Sequence, residues 1–523
     1  MVWITNPDQH RVQTSIESLG TDLVLLQNFY TNASTKLNMT YRIQGKNNIY
    51  ELVVGCEIHA QVASESKLFS RAATKFGAPQ NSQVSFIDAA MPGMLPTLNE
   101  ECIKQAVKTG LGINAQINLV SAFDRKNYFY PDLPQGYQIS QFFYPIVGEG
   151  FVEIFNEDGE KRKIRVERIH LEQDAGKSIH DQSPTLTLID LNRSGVALME
   201  IVSKPDISSP HEACEYVKKI RAILRALETS DGDMEKGNLR CDANVSVRKV
   251  GEKELGTRCE IKNLNSIRNI SRAIEFEAAR QVEILENGGK IDQETRLFDA
   301  LNGETRTMRS KEDAMDYRYF PDPDLPPLTL TQEFVEAIRK SLPELPDAKK
   351  ERYVKDFGIS EYDAGVLTID TEISAYFEEL LKKHEAKICT TWLTVELFGR
   401  MNKLGITFEN LKVTTAKLIG LLDLIKDGTI SGKIAKDVLD DMIESGNEAA
   451  QVIESKGLKQ VSDTGAIEKI IDQVMAQNQN FVDDYRSGKE KLFGFFVGQV
   501  MKESKGQANP AMVNELLKKK LAA

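Results

Sequence analysis

Acidic and basic residues alternate with apolar residues in five short stretches of the chain. In the first stretch, Glu57 and His59 alternate with Val54, Cys56 and Ile58. Because successive side chains of a β-strand point to opposite faces, Glu57 and His59 are predicted to share one face. The same alternation predicts polar faces on four further strands, with Arg168, His170, Glu172 and Asp174 on the second, Glu200 on the third, Arg240, Asp242, Asn244 and Ser246 on the fourth, and Arg258, Glu260 and Lys262 on the fifth.

The chemistry of these faces depends on whether the strands pair with one another. Pairing would let five side chains converge, namely Glu57, His59, Glu172, Glu200 and Asp242. Carboxylates with one imidazole suit a hard or borderline divalent cation such as Mg²⁺ or Mn²⁺. Arg240 and Lys262 beside them would neutralise phosphate charge, so the combination indicates phosphoryl transfer. For any single strand, the solvated face of an antiparallel sheet is the simpler explanation, and only the conjunction favours a site.

Familiar nucleotide-binding motifs are incomplete in this chain. The stretch Asp174–Ser178 matches the end of a Walker A loop, but Leu171 stands where that loop begins with glycine. Gly148 and Gly150 lack the third glycine of a dinucleotide-binding turn, because position 153 is glutamate. The sequence also contains neither H-E-x-x-H nor G-x-S-x-G. It therefore offers no support for a P-loop, a dinucleotide-binding turn, a zinc protease or a serine hydrolase.

The stretch Phe123–Asp132 mixes aromatic rings with cations. It contains Lys126 and Tyr128 among further aromatic residues. Such interleaving stacks bases and holds phosphates in proteins that bind a single-stranded RNA end. Lys126 and Tyr128 are therefore predicted to contact RNA, and Gln135–Gln141 adds amides that can bind a polar substrate. A loop whose aromatic residues dock into the core explains the pattern equally well.

The elements that position these residues fall into two regions. Residues 51–327 are rich in strand patterns and turn residues, interrupted by helical stretches near 210–227 and 266–286. Ser-Ser-Pro before the first helix and Asn-Ser before the second are helix-capping sequences. From about residue 333 onward, Leu, Ile and Val recur at three- and four-residue spacing, which predicts helices. Strands followed by helices indicate an α+β protein.

The composition is that of a globular protein of about three or four domains. The apolar fraction of the 523 residues is 41%, the charged fraction 27% and the net charge −11. These values rule out collagen, low-complexity sequence and a basic coat for nucleic acid. Six cysteines without a C-x-x-C pair predict a reducing compartment and argue against a disulfide scaffold. No apolar run approaches the ~18 residues that span a bilayer.

The two ends of the chain differ from the rest. Residues 1–48 are rich in Asn, Gln, Ser and Thr and are predicted to be a poorly ordered extension. Residues 487–523 hold seven lysines and three glutamates, a net charge of +4 within an acidic chain. Such a local excess of cations suits contact with nucleic-acid phosphates, and Lys502 and Lys505 are the predicted contacts. The alternative is a solvated helix face.

Nine motifs together give the chain a resemblance to a known family. They are Val54–His59, Phe123–Asp132, His170–Ser178, Asp190–Arg193, Leu198–Ser203, Gly237–Ser246, Glu260–Ser266, Asp316–Pro321 and Val497–Pro510. In this order they resemble the B subunits of the aspartyl/glutamyl-tRNA(Asn/Gln) amidotransferases. The resemblance covers residues 51–523 and leaves out residues 1–48.

The resemblance implies a function in a heterotrimer, together with an amidase (the A subunit) and a small third protein (the C subunit). Such B subunits use ATP and Mg²⁺ to phosphorylate the side-chain carboxylate of Glu on misacylated tRNA(Gln). Ammonia released by the amidase then displaces phosphate and gives Gln-tRNA(Gln), and in many organisms the complex also acts on Asp-tRNA(Asn). The implied compartment is the bacterial cytoplasm, with the mitochondrial matrix as the alternative, and no membrane is involved.

The resemblance also implies a fold and a set of site residues. The fold is α+β, with a β-rich antiparallel catalytic cradle at 49–342, an all-α helical domain at 343–456 and a small helical tRNA-binding tail at 457–523. The implied catalytic residues are Glu57, His59, Glu172, Asp174, Asp242 and Lys262. The implied metal ligands are His59, Glu57, Glu172, Glu200 and Asp242, and the implied nucleotide contacts are Lys177, Arg240 and Glu200.

The chain departs from the pattern of the family at two places. Some members carry four cysteines for zinc after the first strand, whereas residues 70–73 here read Ser-Arg-Ala-Ala and residues 86–90 read Phe-Ile-Asp-Ala-Ala. We therefore predict no zinc. Gln173 also stands where some relatives have a second acid, which removes a carboxylate ligand at that position.

Two other functions stay open at this point. One is a tRNA-binding scaffold that has lost kinase chemistry, which the complete set of acids disfavours. The other is a free-standing ATP-dependent ligase that needs no partner. The chain has no amidase signature of its own, which agrees with ammonia from a partner protein.

Overall fold

Strands dominate the first part of the computed structural model, which describes residues 41–309, 316–458, 464–504 and 508–522. In chain order the strands are β1 Arg42–Gln44, β2 Ile49–Gln61, β3 Val120–Ser121, β4 Asp124–Asn127, β5 Tyr137–Ser140, β6 Gly150–Phe155, β7 Lys161–Gln173, β8 Lys177–Ile179, β9 Leu188–Asp190, β10 Ala197–Ser203, β11 Leu239–Lys249, β12 Cys259–Leu264, β13 Thr295–Asp299, β14 Glu304–Arg309, β15 Phe320–Pro321 and β16 Leu328–Thr329.

Helices make up most of the described chain after residue 330 and occur in three segments before it. In chain order they are α1 Glu100–Gly112, α2 Pro210–Ala226, α3 Ile267–Glu286, α4 Gln332–Lys340, α5 Pro346–Phe357, α6 Glu361–Leu367, α7 Thr371–Leu381, α8 Ala386–Thr390, α9 Phe398–Leu404, α10 Thr415–Lys426, α11 Gly432–Ser445, α12 Ala449–Lys456, α13 Thr464–Gln477, α14 Gln479–Arg486, α15 Phe493–Glu503 and α16 Pro510–Ala522. A π-helical segment, Thr391–Leu397, joins α8 to α9, and 3₁₀ turns occupy Phe408–Asn410 and Glu490–Leu492. The predicted α+β class is confirmed.

A nine-stranded sheet is the scaffold of the strand-rich region. Its order is β14-β13-β12-β11-β2-β10-β7-β6, and β1 pairs with the first part of β2. Neighbouring strands are antiparallel except β12 and β13, which run parallel. Helix α3 lies between β12 and β13 in the chain and provides the long crossover that a parallel pair requires. The sheet is therefore antiparallel as predicted, apart from this pair.

Helices α2 and α3 cover the apolar face of the sheet, where they also pack against each other. Both begin at the predicted capping residues, because Ser209 and Ser266 accept hydrogen bonds from backbone N–H groups of the first turn. The apolar residues of β2, such as Val54 and Ile58, are buried beneath them. The alternating acids and bases are thereby left on the opposite face of the sheet.

Helix α1 was not part of the prediction, which has two helices in this region rather than three. Asn99 caps α1 by accepting a hydrogen bond from the backbone of Glu101. Gly110 and Gly112 near its end lower helix propensity, which hides the helix in the sequence. The packing explains Gly110, because a Cβ there would lie 2.8 Å from side-chain atoms of Ile117 and Val147.

The described residues form three apolar cores. The first runs from Tyr50 to Val335, the second from Tyr353 to Ile453 and the third from Ile467 to Leu521. We retain 49–342, 343–456 and 457–523 as proposed domain limits. Of the predicted extension 1–48, residues 41–48 include strand β1, and residues 1–40 lie outside the described residues.

The cysteines are buried with free thiols, which agrees with their predicted role as small core residues. In the described part of the chain, no helix combines the length and the apolar character that crossing a bilayer requires.

The long loop between β2 and α1 is fastened by a buried ion pair. Lys67 is fully buried, and its Nζ lies 3.0 Å from Oδ2 of Asp88 and 3.2 Å from the carbonyl oxygen of Leu191. The Ser70 hydroxyl donates to Asp88 at 3.0 Å, and the Ser85 backbone N–H donates to it at 2.8 Å. These contacts lie in the stretch where some members of the resembled family carry zinc-binding cysteines. Here an ammonium and a carboxylate join the loop to the segment before β10.

Candidate active site

One row of polar side chains crosses the adjacent strands β7, β10, β2 and β11. The directly paired residues along it are His170, Glu200, His59 and Arg240. In the next row, Glu57 of β2 pairs with Asp242 of β11. Because directly paired residues of antiparallel strands project to the same face, this register brings the predicted side chains onto one surface.

Two histidines and two glutamates form the centre of this surface, which we call the acid–imidazole cluster (His59, His170, Glu172 and Glu200). Nε2 of His59 lies 3.5 Å from a carboxylate oxygen of Glu172 and 3.5 Å from one of Glu200. Nε2 of His170 lies 3.1 Å from the same oxygen of Glu200 and 3.9 Å from Glu172. Glu172 and His170 are buried, and His59 and Glu200 are partly accessible.

Three members of the cluster have the donor set of a divalent-cation site. One atom each of His59, Glu172 and Glu200 lie within 4.8 Å of one another. Two carboxylates and one imidazole fit Mn²⁺ well and Mg²⁺ acceptably, since oxygen is the preferred ligand of both. The chemistry of the residues therefore fits the predicted metal.

The charges of the cluster shift the pKa values of its members. Burial alone would lower the pKa of His59, but the hydrogen bond and charge of Glu200, with the charge of Glu172, raise it to about 9. Burial opposes ionisation of Glu200, and the charge and hydrogen bond of His170 outweigh it and hold the pKa of Glu200 well below its ordinary value. The imidazole of His59 therefore holds a proton whose charge offsets part of the carboxylate charge, in the position where a cation would do the same.

The two other predicted metal ligands lie on the same face, outside this donor set. Glu57 accepts a hydrogen bond of 2.8 Å from the side-chain amide of Asn244. Burial raises the pKa of Glu57, and the charges of nearby carboxylates such as Glu200 raise it further. Asp242 pairs with Nζ of Lys262 at 2.8 Å, and Lys262 also contacts Glu260 at 2.8 Å. Glu57 and Asp242 are therefore candidates for contacts to the substrate or the nucleotide.

Asp174 brings two arginines to the edge of the cluster. Its buried carboxylate lies 2.9 Å from Nη2 of Arg240 and 3.3 Å from Nε of Arg193. Arg193 also donates to the backbone carbonyls of Ala175 and Gly176. Both guanidinium groups remain partly exposed, and two cations around one carboxylate leave net positive charge beside the cluster. This position suits the binding of phosphate.

Lys126 of β4 and Tyr128, which follows the end of that strand, lie near the cluster. Nζ of Lys126 lies 5.0 Å from the ring centre of Tyr317 and 5.8 Å from that of Tyr128. Burial alone would lower the pKa of Lys126, yet it is raised, chiefly by the charge of Glu172. Tyr128 donates a hydrogen bond of 3.4 Å to Gln138, whose amide donates to the backbone of β7. Two of the four predicted RNA contacts, Lys126 and Tyr128, therefore lie within electrostatic reach of the cluster.

The remaining predicted residues lie elsewhere. Lys177 is exposed on β8, in the two-stranded sheet that β8 forms with β9. Lys502 is exposed on α15 in the third core, and Lys505 lies outside the described residues.

Sequence reasoning did not select His170, Arg193, Tyr317 and Tyr319 as site residues. His170 stood on the predicted polar face beside Glu172, and that shared face was a sufficient signal. Arg193 lies in a loop without periodicity, and only the motif Asp190–Arg193 pointed to it. The tyrosines belong to the motif Asp316–Pro321, which reaches the site because β15 pairs with β4.

Two models of known domains match most of the chain. Residues 52–336 match the model of the GatB/GatE catalytic domain, and residues 375–521 match that of the GatB domain. The chain is 58% identical over 485 residues to a protein of Rickettsia canadensis, which covers 93% of this chain and 100% of that protein. It is 59% identical over 481 residues to a protein of Rickettsia conorii (92% of this chain, 99% of that protein) and 59% identical over 483 residues to one of Paramagnetospirillum magneticum (92% and 100%).

All three relatives are named as the B subunit of an aspartyl/glutamyl-tRNA(Asn/Gln) amidotransferase. Matches of this length and identity define a class, the catalytic subunits that contain a GatB/GatE domain. The chain belongs to the family of B subunits of the aspartyl/glutamyl-tRNA(Asn/Gln) amidotransferases. The resemblance found in the sequence motifs is confirmed.

Proposed function

We propose that this protein activates the side-chain carboxylate of Glu on Glu-tRNA(Gln) with ATP and then exchanges the phosphate for ammonia. Asp on Asp-tRNA(Asn) is the second proposed substrate. The observation that carries the proposal is the convergence of His59, Glu172 and Glu200 within 4.8 Å on the polar face of the sheet. The relatives are named as one component of a multi-subunit amidotransferase, so the protein works in a complex of several subunits.

The proposed reaction solves the low reactivity of a carboxylate. An oxygen of the side-chain carboxylate attacks the γ-phosphorus of ATP, and ADP leaves, which gives an acyl phosphate. The nitrogen of ammonia then attacks the acyl carbon, inorganic phosphate leaves with that oxygen, and the nitrogen loses a proton to give the amide. Positioning and charge stabilisation supply most of the catalysis in phosphoryl transfer.

The residues of the polar face divide this work. His59, Glu172 and Glu200 would hold Mg²⁺, which when bound neutralises charge on phosphate oxygens. Arg240 and Arg193, held at Asp174, bind phosphate oxygens at the edge of the cluster.

The other side of the face carries Lys262, which is held between Asp242 and Glu260. Its contacts with two carboxylates hold the amine in one place, so its charge is oriented before the nucleotide arrives. Glu57, fixed by Asn244, borders the same space and orients the substrate.

The proposed partners follow from the chemistry. The sequence has no amidase signature, so ammonia comes from the amidase, the A subunit, with the small C subunit in the same assembly. The relatives are bacterial, and we propose the bacterial cytoplasm as the compartment. Zinc has no proposed role, because Lys67 and Asp88 take up the stretch where other members bind it.

The test is the variant Glu172→Gln in the complex assembled with the A and C subunits. We expect ATP-dependent transamidation of Glu-tRNA(Gln) to fall to background, while glutamine hydrolysis by the amidase persists. Glu167→Gln is the matched control, because Glu167 is exposed on the same strand and outside the cluster. ATP turnover and transamidation that survive Glu172→Gln would overturn the assignment, and glutamine-dependent amidation by the isolated chain would overturn the proposed need for partners.

A further inference from the structure

A cluster of aromatic rings lies beside the acid–imidazole cluster without a role in the chemistry described so far. We call it the aromatic wall and define it as Tyr128, Phe142, Phe143, Tyr317 and Tyr319. The rings of Phe142 and Tyr319 are stacked, with centres 4.2 Å apart and planes inclined by 14°. Tyr317 lies 6.1 Å from Tyr319 and 6.0 Å from Tyr128, both edge to face. The wall is therefore continuous from β4 to the segment before β15.

Two rings of the wall are accessible to solvent. Rings that served only to fill the apolar core would be buried. Phe142 is 43% exposed and Phe143 is 54% exposed. Single exposed apolar residues are common on protein surfaces, but several large exposed rings in one patch mark a binding surface.

The backbone that carries the wall is held rigidly. The buried carboxylate of Asp124 accepts hydrogen bonds from the backbone N–H groups of Phe142 and Phe143, at 3.0 and 3.1 Å. The side-chain amide of Asn127 donates to the carbonyls of Tyr317 and Arg318, at 3.1 and 2.9 Å. Arg318 has a φ of +43°, a left-handed conformation that a residue with a side chain adopts only when its surroundings impose it. Strained backbone of this kind is concentrated at ligand sites.

The wall borders the place of the chemistry. Lys126 links the two, because its Nζ lies over the Tyr317 ring while its charge interacts with Glu172. A hydrogen bond also joins the two places, because the backbone N–H of Leu171, next to Glu172, donates to the side-chain oxygen of Gln141, next to Phe142, at 3.1 Å. The wall therefore flanks the cluster.

We infer that the aromatic wall binds an adenine ring, which stacks on the exposed face of Phe142 while Tyr319 supports the other face of that ring. The inference rests on the proposed function, which brings two adenines to this site. One belongs to ATP, and the other to the terminal adenosine of tRNA, whose ribose carries the amino acid as an ester. In each molecule a ribose and a further chain of bonds separate the base from the reacting atoms, so the base extends beyond the cluster to a flanking surface such as the wall. Aromatic side chains bind bases in this way in single-strand-binding proteins, and a nearby cation strengthens the contact.

The experiment uses the assembled complex and two fluorescent probes. One probe is tRNA(Gln) with 2-aminopurine as its terminal base, and the other is 2-aminopurine riboside triphosphate. Stacking on an aromatic ring quenches this fluorophore, so each titration gives a dissociation constant without catalysis. We expect Phe142→Ala to weaken one probe by about fivefold to a hundredfold, which is the range that stacking of one base on an aromatic ring contributes. The probe that weakens identifies the source of the adenine.

Three variants make the result decisive. Phe142→Trp should restore both quenching and affinity, since it returns a ring. Tyr319→Leu should weaken the same probe as Phe142→Ala, which excludes a local folding defect at Phe142. Tyr362→Ala should change neither probe, because Tyr362 is exposed on α6 in the second core.

Two outcomes would overturn the inference. One is unchanged affinity of both probes in Phe142→Ala and Tyr319→Leu. The other is that these variants bind the probes normally but no longer co-elute with the A and C subunits. That result would make the wall a protein-docking surface. Transamidation by the wild-type complex in the same preparation tests the proposed function separately, so its failure is distinguishable from failure of the wall.

Discussion

Two buried polar clusters of the same sheet differ in how their charges are balanced. The Glu277 cluster (Glu277, Arg280, Gln281, Glu294, Arg296 and Thr305) joins α3 to β13 and β14, and its two carboxylates balance its two guanidinium groups. Glu277 accepts hydrogen bonds from Arg280 at 2.6 and 2.9 Å, from Gln281 at 2.8 Å and from Thr305 at 2.9 Å, and Arg296 lies 3.2 Å away. Each oxygen of the carboxylate is satisfied by several donors.

The acid–imidazole cluster on the polar face lacks this balance. Glu172 and Glu200 share the same two imidazoles, and Glu57 adds a further carboxylate nearby. Among the described residues, Nδ1 of His170 is buried without a hydrogen-bond partner. A satisfied, neutral network fixes a fold, whereas a surplus of one charge in a partly open site binds a ligand of the other. The comparison thus separates structural from functional polar groups on one sheet.

The largest expected effect is a loss of stability when the Glu277 cluster is broken. Glu277→Ala removes a fully buried carboxylate from Arg280 and Arg296 and leaves them Glu294 alone among the described residues, so we expect the free energy of unfolding to fall by about 3–5 kcal/mol. Urea denaturation of the first core measures it, with Glu283→Ala, exposed on the same helix, as the control. A change below about 1 kcal/mol, the typical effect of a surface substitution, would remove the structural role.

Lys67→Met tests the second balanced pair, in the loop after β2. Asp88 keeps its bonds from Ser70 and Ser85, so we expect a somewhat smaller loss of about 3 kcal/mol. The loop should also become sensitive to limited proteolysis, which exposed Lys75→Met should not cause. A loop that stays resistant in Lys67→Met would show that the ion pair does not fasten it.

Glu200→Gln tests the acid–imidazole cluster, where carboxylate charge is in surplus. It should lower activity much more than stability. We expect transamidation to fall at least about a hundredfold, because one charge of the cation site is lost. Stability should fall much less than in Glu277→Ala, because His59 and His170 keep Glu172 as a carboxylate partner and glutamine keeps a side-chain oxygen that accepts hydrogen bonds. Rate assays and thermal unfolding of the same preparation measure the two. A large loss of stability would place this cluster in the same class as the Glu277 cluster.

Acid should weaken the balanced cluster through the pKa of Glu277. Burial opposes ionisation, yet the hydrogen bonds and charge of Arg280 lower the pKa of Glu277 below its ordinary value of 4.5. A lowered pKa in the folded state gives stability above that value, which is lost as the pH falls through the folded pKa. The difference in unfolding free energy between wild type and Glu277→Gln should therefore be constant from about pH 8 to 5 and shrink below 4.5. A difference that grows in acid would contradict the sign.

The smallest expected effect is on the affinity for tRNA. It compares a lysine of the tail without an acidic partner with one that is paired. Lys502 is exposed and has no acidic partner among the described residues, whereas Lys520 pairs with Asp472. Lys502→Ala should lower the slope of log affinity for tRNA against log salt by about one, and Lys520→Ala by less. Equal slopes for both variants would remove Lys502 from the proposed tRNA contacts.

The sequence predicted the faces of the strands better than their neighbours. Alternation was enough to put Glu57 and His59 on one face of β2, because that depends only on local geometry. Which residues of other strands oppose them depends on register, and register is set by packing across the whole sheet. For this reason His59, Glu172 and Glu200 come together, while Glu57 and Asp242 find separate partners.

The elements missed by the sequence have a similar cause. Helix α1 ends in glycines, and the one at 110 is explained only by tertiary packing against Val147 and Ile117. The aromatic wall joins residues of the stretch after β5 with tyrosines before β15, and only the pairing of β15 with β4 makes them neighbours. No local pattern of residues carries that information.

The central position of β2 has a consequence for the synthesis of the protein. Its neighbour β11 comes much later in the chain, since Glu57 and its partner Asn244 are separated by 187 residues. At roughly 5–20 residues per second, a ribosome completes β11 about ten to forty seconds after β2. Through that interval the apolar face and one edge of β2 are uncovered, which makes the nascent chain prone to aggregation. We expect chaperones to hold the growing chain until β11 and β12 emerge. A nascent chain that ends before these strands does not have the complete candidate active site.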